Sequence, residues 1–187
     1  MKQINQFINE YIIKKKLDKP IDSENYFEYH PKTKQELFDN INELVENNIY
    51  DFNCIDTNKI TDMSMLFEVC KEISNIDFDV SKWDVSNVEI FIGMFNYCSN
   101  IYDIDFSNWD ISNGKYLNSM FFECKKFKGN GLENWSVCKV KDMSSMFYNC
   151  TNFNCDLSNW DISKVYRRVG TFHNCTSLKN KPIWYQE

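Results

Sequence analysis

The chain has 187 residues, of which 43% are apolar and 16% aromatic, and it carries a formal net charge of −6 at pH 7. This length fits one domain, or one domain with a short appendage, and it is enough to bury a sizeable core. The acidic balance argues against non-specific nucleic-acid binding, because such binding needs basic side chains to neutralise phosphates. With five glycines and three prolines, the composition also excludes a low-complexity or disordered chain.

The N-terminal segment, residues 1–20, predicts a short helix rather than an export signal. It lacks an uninterrupted apolar core and a small-residue cleavage site, and no apolar run elsewhere reaches the length of a membrane span. The apolar face of the predicted helix consists of Ile4, Phe7, Ile8, Tyr11 and Ile12. We therefore predict a cytoplasmic protein without a membrane span, and export by another route is the alternative.

A repeat organises the rest of the chain. All five tryptophans recur at intervals of 24 to 26 residues, and a cysteine follows each of the first four by 15 residues. Cys70 extends this cysteine series toward the N-terminus, with Ile55 in the tryptophan position. Such a period indicates units that bury their apolar faces against one another. The predicted internal ladders are Trp83, Trp109, Trp135, Trp160 and Trp184, and Cys70, Cys98, Cys124, Cys150 and Cys175.

Two apolar patterns alternate within each repeat. Before the tryptophan, alternate residues are apolar, as in Ile76, Phe78 and Val80, which predicts a short strand. After it, a turn rich in Asp, Ser and Asn precedes apolar residues at i, i+3, i+4 and i+7, which predicts a helix of two turns. One such set is Met143, Met146, Phe147 and Cys150.

These patterns together predict the fold class and the domain organisation. We expect an α/β fold: a leucine-rich-repeat-like solenoid with a parallel sheet on one side, short helices on the other and an N-terminal helical cap. Residues 1–50 are predicted to form the helical extension and cap. Residues 51–187 are predicted to form about five repeats of 24–28 residues.

The string VKDMSSMFYNCTNFNCDLSNWDISKV, residues 140–165, closely resembles the repeat of the BspA-like leucine-rich-repeat surface proteins, the mycoplasma-type surface-lipoprotein repeat family. Residues 29–67 look like the segment that those proteins place before their first repeat. The resemblance covers residues 29–184 and implies a surface or interaction role, with some members acting as adhesins for host proteins. It therefore implies a cell-surface or secreted location as the alternative to the cytoplasm. Residues 128–138, KGNGLENWSVC, depart from the DxSxWD signature.

No motif predicts catalysis, a cofactor or a metal. The chain lacks a Gly-rich phosphate loop, a nucleophile elbow and a zinc-protease helix. Its two histidines, His30 and His173, lie at opposite ends of the repeats, and the cysteine spacing does not match a zinc site. We interpret the cysteine ladder as small apolar residues in a reducing compartment. The sequence therefore predicts a non-enzymatic protein without cofactor, metal or catalytic residues.

The outward positions of the predicted strands carry a candidate binding surface. If Phe78 and Val80 point inward, the acidic residues that alternate with them face solvent. These residues are Asp77, Asp79, Asp103, Asp105 and Asp156. They predict a surface for a basic protein partner or a divalent cation. The alternatives are a solvated acidic stripe, or Asp side chains bonded to nearby turn amides.

We therefore predict protein–protein recognition through the sheet face or the loops. The alternative function is a structural or assembly protein that associates through exposed solenoid ends. The last segment, KNKPIW at residues 179–184, would be an unpaired edge. Its lysines and Pro182 are typical of protection against edge pairing, and end-to-end self-association through Ile183, Trp184 and Tyr185 is the alternative.

Overall fold

The computed structural model describes residues 27–67, 78–98, 101 and 104–185. The helix predicted in residues 1–20 therefore lies outside the described residues, as do Cys70, Asp77 and Asp103. Within the described residues, the regular elements are helix α1 (Lys34–Glu46) and one turn of 3-10 helix (Leu132–Asn134). β-Pairing there consists of isolated single-residue bridges, all of them parallel.

Helix α1 precedes the first repeat and has clear sequence signals at both ends. Thr33 is the N-cap, and its side-chain oxygen accepts a hydrogen bond from the amide of Glu36 at 3.2 Å. This bond satisfies one of the amides that have no partner at a helix start. Beyond the C-terminus, Asn48 has a φ of 59°, a conformation common where helices end. The buried face of the helix consists of Leu37, Ile41 and Leu44.

The segment after each tryptophan, predicted as a two-turn helix, is instead a run of tight turns. In residues 117–124, alternate amides donate to the next repeat, while the amides of Met120, Phe122 and Cys124 donate to carbonyls three residues back. The donors to the next repeat are Leu117, Ser119, Phe121 and Glu123, and the acceptors are the carbonyls of Asp142, Ser144, Met146 and Tyr148, at 2.8–2.9 Å. The same alternation recurs in residues 91–98 and 143–150.

Left-handed backbone conformations at every fourth residue exclude a helix in these turns. Ser119 and Glu123 have φ values of 57° and 61°, whereas an α-helix needs a negative φ throughout. The equivalent left-handed residues are Gly93 and Tyr97, Ser145 and Asn149, and Gly170 and Asn174. The prediction of short helices is therefore wrong, although the residues at the helical spacing are buried, as Phe91, Met94, Phe95 and Cys98 are.

The predicted parallel sheet is also wrong, and with it the leucine-rich-repeat-like solenoid as the fold class. Four parallel bridges join successive repeats through Asp62, Ile90, Tyr116, Asp142 and Arg167, which lie after the tryptophan positions. At Asp62 and Asp142, the carboxylate accepts a hydrogen bond from the amide two residues later, at 2.7 and 2.9 Å. An Asx turn therefore follows the bridge residue at these two positions. Beyond the bridges, only every second amide bonds to the next repeat, so no continuous strand forms.

The tryptophans form a column through the stacked repeats. The indole nitrogen of each donates to a backbone carbonyl of the preceding repeat at 2.9–3.2 Å. The rings of Trp109, Trp135 and Trp160 stack with centroids 6.4 Å apart. Four of the tryptophans are 3–4% exposed, while Trp184 in the last repeat is half-buried. Each ring therefore fills the core of its own repeat and bonds to its neighbour.

Phenylalanines and cysteines form two further columns. Consecutive rings of the phenylalanine column stack with centroids 5.1–5.7 Å apart. This column consists of Phe67, Phe95, Phe121, Phe147 and Phe172. In the cysteine column, the sulfurs of Cys124, Cys150 and Cys175 each lie 2.9–3.0 Å from the carbonyl oxygen of a phenylalanine in the preceding repeat, and Cys98 lies 3.7 Å from the carbonyl of Phe67.

Burial keeps three cysteines of the column protonated. It raises the pKa of Cys124 and Cys150 well above the ordinary thiol value, and that of Cys175 to about 12. The seven cysteines within the described residues are free. These three cysteines are therefore neutral thiols that donate weakly to backbone oxygens.

Truncation of a central tryptophan should destabilise the protein more than truncation of the last one. We expect Trp109→Ala to lower the free energy of unfolding by about 3–5 kcal/mol, because fixed rings on both sides prevent collapse of the cavity. Trp184→Ala should cost clearly less, since that ring is partly solvated. Urea unfolding followed by circular dichroism measures both values. Equal losses would contradict the packing of Trp109 between two neighbours.

Candidate functional site

An open groove of ≈ 1130 Å³ crosses the segments that precede Trp109, Trp135, Trp160 and Trp184. Its charged residues carry both signs, and the rest of its lining consists of Asn, Ser, Thr, Cys and Gly. The charged residues are Asp105, Lys128, Glu133, Asp156 and Lys179. The groove is thus a polar surface on which three acidic and two basic side chains nearly balance in charge.

Two glycines allow the close backbone approach on which the groove depends. Gly129 and Gly131 have φ values of 92° and 86°, which favour glycine. A Cβ on Gly131 would lie 2.7 Å from the Asp105 carboxylate and 2.8 Å from the carbonyl carbon of Phe106. The glycine-containing departure from the repeat signature is visible in the sequence, but the groove that it forms was not predicted.

The structure places the predicted binding residues Asp79, Asp105 and Asp156 on the surface. Each is the first residue of an Asx turn, in which a carboxylate oxygen accepts from a serine amide two residues later, at 2.8–2.9 Å. Asp105 and Asp156 line the groove, and Asp79 does not. Bonding to turn amides is the alternative to partner binding that the sequence left open for these aspartates. The two roles are compatible, because the second oxygen of each carboxylate remains available to a partner.

A second set of Asx turns follows the tryptophans. Asp84, Asp110 and Asp161 accept from serine amides two residues later, at 2.9–3.0 Å. Hydrogen bonds from Ser112 and Ser163 lower the pKa of Asp110 and Asp161, as the bonds from Ser158 lower that of Asp156. Both aspartates of the recurring string DFSNWDISN therefore stabilise turns, and this second set lies outside the groove.

The only cysteine that lines the groove is a neutral thiol. The sulfur of Cys155 lies 3.3 Å from a carboxylate oxygen of Glu133. Burial, followed by the hydrogen bond and the charge of Glu133, raises the Cys155 pKa to about 12. A thiol with this pKa is a poor nucleophile at neutral pH, because the thiolate is the reactive form.

Sequence reasoning missed an outer aromatic column that includes one histidine. The ring of Phe122 stacks on Tyr148 at 4.9 Å, and Tyr148 stacks on His173 at 4.5 Å. His30, by contrast, lies 3.3 Å from the Asp56 carboxylate, so the two histidines have separate surroundings. The sequence does contain a signal for this outer column: in three successive repeats an aromatic residue directly follows the phenylalanine of the inner column.

The described residues contain neither a metal-binding cluster nor a membrane-spanning helix. No group of three or more His, Cys, Asp or Glu side chains in residues 27–67, 78–98, 101 and 104–185 is arranged to hold a metal ion. No helix in the same ranges is long and apolar enough to cross a membrane.

The two glycines Gly131 and Gly170 allow a matched test of the close approach in the groove. Both have a positive φ, but the nearest atom to a Cβ on Gly170 is 3.5 Å away. Gly170→Ala should therefore cost only the backbone strain, about 1–2 kcal/mol. Gly131→Ala adds a collision with fixed backbone and should cost about 1–3 kcal/mol more. Urea unfolding measures the free energy of unfolding of both variants. Equal losses in the two variants would contradict a steric need for Gly131.

One protein family matches most of the chain. The family described as Mycoplasma protein of unknown function, DUF285, matches residues 32–131 and 71–185, and these two matches overlap. No curated protein and no solved structure gave a match. The narrower resemblance to BspA-like leucine-rich-repeat surface proteins stays a prediction. The matches span α1 and every repeat, and the chain therefore belongs to the DUF285 family of mycoplasma proteins.

Proposed function

We propose that the chain is a non-enzymatic protein-interaction module and that the groove is its binding surface. The observation that carries this proposal is the composition of the groove, where both signs of charge lie beside amide and hydroxyl groups on one open surface. Protein–protein interfaces commonly use such mixed polar surfaces around a smaller apolar centre. The mixed charge favours a polypeptide partner over a uniformly charged polymer.

Hydrogen bonds hold the groove residues in place before any partner arrives. The amide of Phe106 donates to the carbonyl of Asn130 at 3.1 Å, and the amide of Asn154 donates to the carbonyl of Lys128 at 3.2 Å. The side chain of Asn154 in turn accepts from the amide of Lys179 at 3.1 Å. A surface fixed in this way loses little conformational entropy on binding, which supports a role in recognition.

The charges of the groove indicate the chemistry of the partner. Asp105 and Asp156 are exposed carboxylates that suit basic side chains, while Lys128 and Lys179 suit acidic ones. A partner segment with alternating or mixed charge would complement all four residues. Such complementarity contributes mostly to specificity and to the association rate.

Charge removal in the groove should weaken partner capture, whereas the same change outside it should not. In Asp105→Asn/Asp156→Asn, the amide oxygen still accepts the turn hydrogen bond, but the two charges are lost. The matched control is Asp84→Asn/Asp110→Asn, which changes two Asx turns outside the groove. We expect proteins from mycoplasma or host-cell extracts that bind the wild type and the control to bind the groove variant less.

Circular dichroism must show that both double variants keep the wild-type fold. Equal capture of the same proteins by the wild type, the control and the groove variant would contradict the groove as the binding surface. Quantitative mass spectrometry of the captured fractions provides the comparison.

A further inference from the structure

A surface strip runs along the side of the stacked repeats, directly after the tryptophan column. We call it the side strip, and it consists of the seven residues that follow Ile55 or a tryptophan in each repeat. These are residues 56–62, 84–90, 110–116, 136–142 and 161–167. Single-residue bridges join each segment to the next, so equivalent positions lie about 4.8 Å apart.

The sign of the charge changes along the side strip. The second repeat carries two carboxylates there, Asp84 and Glu89, and no basic residue. The third repeat carries one charge of each sign. The fourth repeat carries Lys139 and Lys141, both exposed, and its one carboxylate, Asp142, is buried at 8% exposure. Three consecutive repeats, each with a neighbour on both sides, therefore run from acidic to basic.

Charges of both signs in the strip have no ionic partner within their own copy. Glu89 is already paired, because its carboxylate lies 2.7 Å from the ammonium of Lys115. Within the described residues, Asp84, Lys139 and Lys141 form no ion pair. The acidic repeat thus offers one carboxylate to a partner, and the basic repeat offers two ammonium groups.

The third repeat gives the strip a fixed and partly apolar centre. The side chain of Asn113 donates to the carbonyl of Ser86 at 2.7 Å and accepts from the ammonium of Lys139 at 2.6 Å. These bonds hold the strip in place before any association. Tyr116 and Ile90 are partly buried there, and protein interfaces commonly surround such apolar side chains with a polar rim.

We propose that two copies of this chain associate side by side through the side strip, in antiparallel orientation. A two-fold axis at the third repeat sets the second repeat of each copy against the fourth repeat of the other. Because the rotation also reverses the order of positions across the strip, Asp84 of each copy lies opposite Lys141 of the other. The acid–base contact therefore forms twice.

This surface is separate from the groove, with which it shares no residue. Loss of the dimer therefore leaves the groove intact, and the proposal is independent of the proposed function.

Other arrangements and partners fit the strip less well. A parallel pair of copies would set like charges against each other, which is unfavourable. A uniformly charged polymer would be repelled at one end of the strip. Five repeats at about 4.8 Å each give a strip about 24 Å long, so the contact belongs to the small, transient class of interfaces. We therefore expect a weak, salt-sensitive dimer.

Analytical ultracentrifugation at two salt concentrations tests the dimer. We expect dimers of the whole chain at millimolar protein in about 0.05 M salt and monomers in about 0.5 M salt, because salt screens the charges of the strip. A monomer under both conditions, or self-association that salt does not weaken, would overturn the proposal.

Charge reversals on the two opposite residues give a sharper test. Lys141→Glu and Asp84→Lys should each weaken self-association by about tenfold or more, because like charges then face each other. An equimolar mixture of the two variants should associate about as tightly as the wild type, since each reversed residue then faces an opposite charge. Lys126→Glu makes the same charge change as Lys141→Glu on an exposed residue outside the strip and the groove, and it should leave self-association unchanged.

Two results of this experiment would overturn the proposal: equal weakening by Lys126→Glu and Lys141→Glu, or no recovery in the mixture of folded variants. Asp84 also holds an Asx turn, so circular dichroism must show that Asp84→Lys keeps the wild-type fold. The comparison of Lys141→Glu with Lys126→Glu is valid without that variant.

Discussion

The structure depends on the alternate hydrogen bonds that join the turn segment of each repeat to the next repeat. Every second amide donates across the interface, while the amides between them close tight turns within the repeat. The two sets of bonds require left-handed residues at regular positions, such as Ser119 and Glu123. They also fix the register, because a shift by one residue would set turn amides against the carbonyls of the neighbour.

The side-chain columns follow from this backbone register. Equivalent residues of adjacent repeats lie at nearly the spacing of paired chains, about 4.8 Å, and aromatic rings stack at slightly larger distances. Each tryptophan adds a side-chain hydrogen bond parallel to the backbone bonds, and the column cysteines add weaker ones. The Asx turns, in which an aspartate accepts from a serine amide, bend the chain between these contacts. The recurring motif is therefore mainly structural, and the residues that differ between repeats are the candidates for recognition.

The sequence predicts the buried residues much better than the backbone conformation. The spacing of Met120, Phe121 and Cys124 matches one face of a helix, but a turn segment with a four-residue period buries the same positions. Likewise, alternating apolar residues before a tryptophan are typical of a strand, yet the Asx turn at Asp105 bends the chain at once. Periodicity reports which residues face the core, and it does not report whether an amide bonds within its repeat or across to the next one.

The candidate surfaces were predictable only in part, for physical reasons that differ between them. The exposure of Asp105 and Asp156 follows from alternation along the chain, whereas the groove depends on the close approach that Gly131 allows between two repeats.

Through-hydrogen-bond scalar couplings in the labelled protein test the stacking most directly. If alternate amides bond across the repeats, couplings should connect the nitrogen of Leu117 to the carbonyl carbon of Asp142, and that of Phe121 to Met146. The amide of Met120, between them, should couple to Leu117 in its own repeat. Couplings from these amides to the carbonyls four residues back would show an α-helix instead and would contradict the alternation on which the whole fold rests.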